Sequence, residues 1–189
     1  MNILQNERQL VKEAQAGNRK AFEAILDAYE SRVYNLACRM VGTRDAEDVA
    51  QDALIEICKS IGSFRGKSAL STWVYRVAAN VCLEHRRRKR PELVSLEDDI
   101  AEYKADPSDD PVTLAVKNQL KSDVDAAIQS LPVIHRDVVV LHELLGLTYQ
   151  ECSEVLGCPV GTVKSRLSHA FVRLRELLKE HAAESGLER

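Results

Sequence analysis

The segment LTYQECSEVLGCPVGTVKSRLSHAFVRL, which spans Leu147 to Leu174, decides the fold of the second half of this chain. Thr148 is followed three residues later by Glu151, a capping-box pattern that predicts the start of a helix. Gly157 is predicted to end that helix, because glycine adopts the left-handed conformation of a helix C-terminus at little cost. Pro159 is preset for the first turn of a following helix. Two short helices joined by a glycine-containing turn are typical of a helix-turn-helix.

The second helix of this segment has an apolar side and a polar side. Its apolar residues recur at helical spacing and form the predicted buried face: Val163, Leu167, Ala170, Phe171 and Leu174. The other side carries residue types that contact phosphates and base edges in a DNA major groove: Thr162, Lys164, Ser165, Arg166 and His169. The same spacing also fits a solvated helical hairpin that binds nothing, so the pattern alone leaves both interpretations open.

The composition is that of an ordinary globular protein. Of the 189 residues, 45% are hydrophobic and 29% are charged, and the formal net charge is −3. Any binding to nucleic acid must therefore come from local basic patches. The five cysteines form no Cys-x-x-Cys pair, which argues against a zinc knuckle and fits reduced thiols. Because the sequence shows neither a signal-peptide core nor an apolar run near the ~20 residues of a membrane span, we expect a cytoplasmic protein without membrane insertion.

Helical spacing of apolar residues predicts four helices in the first half of the chain. The first is predicted to end at Gly17, and Asn18 is predicted to cap a long second helix that ends at Gly42. Asp45 is the predicted cap of the third helix, which Gly62 ends.

The outer face of the third predicted helix carries an acidic stripe that includes an apolar residue. Its members fall at positions i, i+3, i+4 and i+7: Asp48, Gln51, Asp52 and Ile55. A partner helix rich in basic and apolar residues would fit this stripe, and a solvated acidic face is the alternative.

The fourth predicted helix runs from about Ser71 to Arg90 and ends in a run of cations. Its predicted core side comprises Trp73, Val74, Val77 and Val81. Its terminal cations are Arg86, Arg87, Arg88, Lys89 and Arg90. The helix dipole favours cations at this end, but five in a row exceed what capping requires and indicate phosphate binding. The nearby aromatic rings of Phe64, Trp73 and Tyr75 offer surfaces on which single-stranded bases could stack.

Residues 91–111 are acidic and lack periodicity, which predicts a flexible linker. Such a linker could occupy a basic channel or act as a plain tether. Asp110 and Pro111 are predicted to start a helix, and Pro132 another, so that the helix-turn-helix completes a four-helix domain. The prediction is an all-α fold with two small helical domains, an N-terminal helical bundle at 1–90 and a C-terminal four-helix domain at 112–189.

Sequence patterns of enzymes and metal sites are incomplete. His142 and Glu143 begin a zinc-protease motif, but Gly146 stands where the second histidine should be. Cys82 and His85 could supply two metal ligands, but the sequence shows no second pair of ligands to complete a site. Neither a Gly-x-Ser-x-Gly elbow nor a dinucleotide-binding loop is present. We therefore expect no catalytic residues, no metal ligands and no cofactor.

Two groups of motifs, in this order and at this separation, resemble a bacterial RNA polymerase sigma factor of the extracytoplasmic-function (ECF) type. The first comprises DAEDVAQD from Asp45, SFRG from Ser63 and STWVYRVAAN from Ser71. The second comprises Leu131-Pro132, Arg136, LTYQE from Leu147 and GCPVGTVKSRL from Gly157. The resemblance covers nearly the whole chain.

The resemblance implies a role for each surface. The acidic stripe would dock on the clamp helices of the largest subunit of core RNA polymerase. The loop and helix after it would read the promoter −10 element on an unpaired strand with one base flipped out. The implied −10 residues are Phe64, Arg65, Ser71, Trp73, Arg76, Asn80, Arg86, Arg87, Arg88 and Arg90. The implied −35 residues, on a helix in the major groove, are Thr162, Lys164, Ser165, Arg166 and His169.

The resemblance also implies binding partners, and the chain differs from the usual family sequence at one place on the second helix of the helix-turn-helix. Core polymerase, promoter DNA and an anti-sigma factor that covers both domains would be the partners, and the linker would run toward the RNA exit path. The family commonly has Arg-Ala-Arg where this chain has His169-Ala170-Phe171, which predicts an altered −35 preference. A stand-alone helix-turn-helix regulator and a sigma-like decoy that binds polymerase or an anti-sigma factor without DNA are the alternatives.

Overall fold

A computed structural model describes residues 6–89 and 122–184 of the chain, with side-chain burial through 179. Every regular element in these ranges is helical, and the chain divides into two compact units, Met1–Ala101 and Glu102–Arg189. The all-α prediction is confirmed. The predicted linker, the helix start at Asp110 and Pro111, and Arg90 lie outside the described residues, so the domain boundaries stay predictions.

The first unit contains four helices: α1 (Glu7–Gln15), α2 (Arg19–Val41), α3 (Thr43–Ser60) and α4 (Leu70–Lys89). A 3-10 turn, Ile61–Ser63, follows α3 and contains Gly62. Helices α2, α3 and α4 pack against one another, and α1 lies against α2. Large side chains that are almost fully buried form the core: Ile25, Tyr29, Val33, Leu36, Met40, Val49, Ile57, Leu70 and Val74.

One of the two predicted helix caps in this unit is confirmed and the other is wrong. The Asn18 side chain accepts hydrogen bonds from the amides of Lys20 at 3.0 Å and Ala21 at 3.4 Å, as expected of an N-cap. Helix α3 instead begins at Thr43 behind Gly42, whose φ is +84°. Asp45 lies inside the first turn, and its carboxylate is therefore free to reach another helix.

The Asp45 carboxylate joins the start of α3 to the end of α4. Lys89 Nζ donates to both carboxylate oxygens, at 2.7 and 2.6 Å, and His85 Nε2 lies 3.3 Å from Oδ2. Partial burial of Asp45 raises its pKa, but the hydrogen bonds from Lys89 and His85 outweigh it, so the pKa lies below the usual value of 3.8.

Replacement of Asp45 by asparagine is expected to destabilise the first unit by on the order of 1 kcal/mol at about pH 6. Because the folded pKa is lowered, the stabilisation is present above 3.8 and is lost as pH falls through the folded pKa. Urea unfolding followed by the emission of Trp73, the one tryptophan, should show a deficit that is complete above pH 3.8 and shrinks as the pH falls below it. The exposed Asp27→Asn is the matched control, and a deficit that does not depend on pH would contradict this assignment.

Two aromatic predictions for α4 need revision. Tyr75 is buried; its ring meets Tyr29 edge-on at 6.2 Å and its hydroxyl accepts a bond from Arg32 at 3.4 Å. Tyr75 therefore cannot offer a stacking surface, because the buried face of α4 is rotated toward it. Trp73, predicted to face the core, is only half-buried, as are Val77 and Val81.

The second unit contains a helix over residues 122–129 (α5), α6 (Val133–Val139), α7 (Tyr149–Leu156) and α8 (Val160–Glu184). A π-helical turn, Val140–Leu144, continues α6. Helices α6 and α7 both pack on α8. The buried apolar side chains include Ala127, Ile128, Leu131, Val138, Leu141, Leu147, Cys152, Val163, Leu167, Ala170 and Leu177.

The apolar face of α8 follows the prediction except at Phe171, which is 46% exposed. The buried stripe runs through Val163, Leu167 and Ala170 and continues to Leu177, while Leu174 is half-buried. Phe171 follows Ala170 by one position, so its side chain points away from the buried stripe. None of the helices in the described ranges is long and apolar enough to span a bilayer.

Arg136 is a buried cation that closes the end of α5. Its guanidinium donates to the backbone oxygens of Gln129 and Leu131 and to the Gln129 side-chain oxygen, the last at 2.7 Å. The last carbonyls of a helix have no hydrogen-bond partner within the helix. Arg136 donates to these carbonyls at the end of α5, where burial limits access of water.

Candidate nucleic-acid interface

The helix-turn-helix of the second unit is closed by short-range hydrogen bonds. The Glu151 amide donates to Thr148 Oγ1 at 3.2 Å, and the Thr148 amide donates to Glu151 Oε2 at 2.8 Å. This reciprocal pair confirms the predicted capping box. Gly157 is left-handed with φ +62°, and its amide and that of Cys158 both donate to the Ser153 carbonyl. The Ser153 hydroxyl donates to the Cys158 carbonyl at 2.6 Å, which ties the turn to α7.

The polar side of α8 offers three exposed residues and two half-buried ones. Lys164, Ser165 and His169 are exposed, and Thr162 and Arg166 are half-buried. Arg166 Nη1 lies 3.7 Å from Cys158 Sγ, so its guanidinium is held against the turn. The structure thus places all five predicted −35 residues on α8, with differing access to a ligand.

Lys164 is held by an aromatic stack that the sequence did not reveal. The Lys164 ammonium lies 5.3 Å from the ring centre of Tyr149, a cation–π distance. His142 stacks on Tyr149 with ring centres 4.4 Å apart, and His142 Nδ1 lies 2.7 Å from the Leu147 carbonyl oxygen. The first residue of α7 therefore helps to orient a side chain of α8.

Replacement of Tyr149 by alanine is expected to weaken binding of duplex −35 DNA about two- to fivefold, the equivalent of an exposed cation–π contact. Tyr149→Phe keeps the ring and should bind as the wild type does. A double-mutant cycle with Lys164→Met separates positioning from general damage, since the Tyr149 change should have no further effect once the ammonium is absent. Equal losses in both backgrounds would contradict a positioning role.

The first unit presents two neighbouring aromatic rings: Phe64 lies on the loop between α3 and α4, and Trp73 lies near the start of α4. Phe64 and Trp73 have ring centres 5.5 Å apart, and both are half-buried. Gln15 at the end of α1 fixes this loop, because its side-chain amide donates to the carbonyls of Ile61 at 3.0 Å and Phe64 at 2.9 Å. Sequence reasoning missed Gln15, since nothing local distinguishes it from any exposed glutamine.

The remaining predicted −10 residues differ in their access to solvent. Arg65 and Asn80 are exposed, while Ser71 and Arg76 are half-buried.

The cationic end of α4 is partly used within the protein. Arg86 is half-buried and donates to the Met40 carbonyl at the end of α2, at 3.2 Å. Lys89 binds Asp45, and Arg88 binds Glu84 one turn earlier at 2.6 Å. Among the four described members of the run, Arg87 and Arg88 are exposed and not bonded to another helix, so these two are best placed to meet a phosphate.

The acidic stripe of α3 faces solvent. Asp48, Gln51 and Asp52 are exposed, and Ile55 is 45% exposed. The opposite side of α3 is buried through Ala46, Val49, Ala50, Ala53 and Ile57, so the stripe is displayed by a well-anchored helix.

Within residues 6–89 and 122–179, no three His, Cys, Asp or Glu side chains are placed to hold a metal ion. All five cysteines are free thiols. Burial raises the pKa of Cys152 to about 11, which keeps its thiol protonated at neutral pH.

Comparison with known proteins identifies both units. The family model for sigma-70 region 2 matches residues 25–92, and that for sigma-70 region 4 matches residues 121–174. The RNA polymerase sigma-H factor of Pseudomonas aeruginosa is 33% identical over 174 residues, which covers 88% of this chain and 90% of that protein.

Further similarity extends to a second relative and to a solved structure. The ECF RNA polymerase sigma-E factor of Haemophilus influenzae is 35% identical over 177 residues, which covers 90% of this chain and 92% of that protein. The sigma factor RpoE of Bartonella quintana, solved in complex with the anti-sigma factor NepR, is 25% identical with a TM-score of 0.64, covering 85% of this chain and 98% of that chain. The chain therefore belongs to the ECF family of RNA polymerase sigma factors.

Proposed function

We propose that this sigma factor binds core RNA polymerase through the acidic stripe of α3 and has no catalytic activity of its own. The observation that carries this proposal is the exposed Ile55 beside the exposed Asp48, Gln51 and Asp52 on a helix whose other side is buried. An apolar residue within an acidic surface suits a partner helix that offers both basic and apolar side chains. A regulator that acts on DNA alone has no need of such a surface.

Each unit reads a different part of the promoter in this proposal. The Phe64–Trp73 pair and the neighbouring Arg65, Ser71, Arg76 and Asn80 receive the unpaired −10 strand, where stacking offsets the pairing energy that melting costs. Arg87 and Arg88 contact its phosphates, whereas Arg86 mainly supports the end of α2. Helix α8 enters the major groove of the −35 element with Lys164 and Ser165 foremost.

Regulation by an anti-sigma factor in the cytoplasm completes the proposal. The support is the B. quintana sigma factor, whose structure contains an anti-sigma factor and which matches 85% of this chain. Residues 91–111 would tether the two domains so that one inhibitor can cover both.

Reconstitution of transcription tests this function. Core polymerase and the purified chain are incubated with fragmented genomic DNA of the source organism, and the transcripts are mapped. The proposal requires start sites that core polymerase alone does not use. A DNA mobility shift without polymerase, together with no new start site, would favour a stand-alone regulator instead. The absence of both a mobility shift and a new start site would favour a decoy.

A further inference from the structure

Two histidines and an arginine from different helices lie together beside the candidate −35 surface. His135, in the first turn of α6, is half-buried, and His169 of α8 is exposed. Their ring centres are 6.0 Å apart with the planes inclined at 47°. Arg166 lies one turn before His169 on α8 and is half-buried. Helices α6 and α8 thus bring the two imidazoles together, with Arg166 near enough to act electrostatically on His135. Motif reasoning singled out only the two residues on α8.

The electrostatic surroundings of His135 favour an anion. Burial, His169 and Arg166 all lower the pKa of His135, and no carboxylate of residues 6–89 or 122–179 contributes to this shift. On its own helix, the neighbouring Arg136 and Asp137 are buried, and Arg136 binds the end of α5.

The π-helical turn packed against α6 adds no competing charge for His135. Its His142 bonds to the Leu147 carbonyl and stacks on Tyr149, and its Glu143 lies 3.7 Å from His142. Among the residues that the structure describes, no carboxylate therefore balances the positive potential of Arg166 at His135.

We propose that His135, His169 and Arg166 form one binding site for a backbone phosphate of promoter DNA, in which phosphate contact and histidine protonation are coupled. This inference rests on the proposed −35 role of α8 and adds His135 to it. A phosphate group carries several oxygens, so imidazoles whose ring centres are 6.0 Å apart can each donate to it over about 2.9 Å.

The sign of the coupling follows from the charges. A phosphate stabilises a protonated imidazole, so the pKa of His135 is higher in the DNA complex than in the free chain. A group with a higher pKa in the complex takes up a proton on binding, and affinity therefore increases as pH falls. The gain is complete below the free-chain pKa and disappears above the pKa in the complex. A one-unit difference for one histidine corresponds to about a tenfold change in affinity.

Holoenzyme binding at several pH values tests the site. Core polymerase carrying either the wild-type chain or the His135→Gln/His169→Gln double variant is titrated onto the promoter fragment recovered in the initiation assay, by fluorescence anisotropy. The ratio of the two association constants cancels the pH response of the polymerase itself. We expect this ratio to reach about tenfold near pH 6 and to approach one near pH 8. The control Lys20→Gln removes an exposed cation from α2 in the first unit and should give a ratio near one at every pH.

A second measurement covers the case in which the variants fold poorly. Imidazole resonances of the wild-type full chain are titrated by NMR with and without a short duplex carrying the −35 segment. A titration midpoint of His135 that moves upward with the duplex supports the site, and an unmoved midpoint overturns it. A ratio that is flat with pH, with initiation intact, overturns this inference alone. A chain that directs no initiation at all overturns the proposed function and this inference with it.

Discussion

Exchange of both Asp48 and Asp52 for lysine is expected to reduce promoter-directed initiation roughly 100-fold or more, because like charges placed across an interface cost several kcal/mol. Both side chains are exposed on a helix whose buried face they do not touch, so the fold should tolerate the change. The loss should appear in run-off transcription and in the affinity of the labelled chain for core polymerase. Binding of the free chain to duplex −35 DNA should be unchanged, since α8 belongs to the other unit.

The matched control reverses two exposed carboxylates elsewhere in the first unit, Asp27→Lys with Glu30→Lys, and alters the net charge by the same amount. This control variant should retain initiation. Ile55→Ala should weaken polymerase binding with no change of charge, which separates the apolar part of the stripe from the acidic part. Comparable losses of initiation in the control and in the Asp48/Asp52 variant would reject the stripe as a specific interface.

Replacement of Arg136 by methionine is expected to destabilise the second unit by about 3 kcal/mol, because one buried and two part-buried acceptors lose a charged donor. The acceptors are the Gln129 and Leu131 carbonyls and the Gln129 side-chain oxygen. Methionine keeps most of the volume, so the effect reports hydrogen bonding more than packing. Hydrogen exchange measured by mass spectrometry on peptides from residues 122–156 should reveal the faster opening.

The comparison variant for Arg136 is Arg173→Met. Arg173 pairs with Glu176 at 3.0 Å, with half of each side chain exposed. Such surface pairs contribute about 0–1 kcal/mol. Arg136→Lys should recover part of the stability, since an ammonium donates without the planar fork of arginine. Equal exchange rates in Arg136→Met and Arg173→Met would show that the buried guanidinium is not required.

Local signals in the sequence predicted local structure well. The caps at Asn18 and Thr148 and the left-handed Gly157 each depend on residues only a few positions apart, and the structure contains all three. The exposed acidic stripe was also predictable, because a helical period separates its members from the buried face of α3.

Long-range contacts and the exact rotation of a helix were not predictable in this way. Asp45 fits a cap by its residue type, yet its partner Lys89 is 44 residues away. Periodicity defines a buried face only to about one residue, which is why Tyr75 proved buried and Phe171 exposed. The role of Arg136 depends on where α5 ends against α6, and the pairing of His135 with His169 depends on how α6 packs on α8. No local pattern in a single sequence predicts these contacts.

The internal bonds at the end of α4 have a consequence for how the protein searches a genome. Affinity for bulk nucleic acid comes from counterions that free cations displace from phosphates. Arg86 and Lys89 are bonded to the Met40 carbonyl and to Asp45, respectively. The run is therefore expected to displace fewer counterions than the same number of unbonded arginine and lysine side chains would. We therefore expect the chain to bind polymerase before it binds arbitrary DNA, and to meet promoters as part of that assembly.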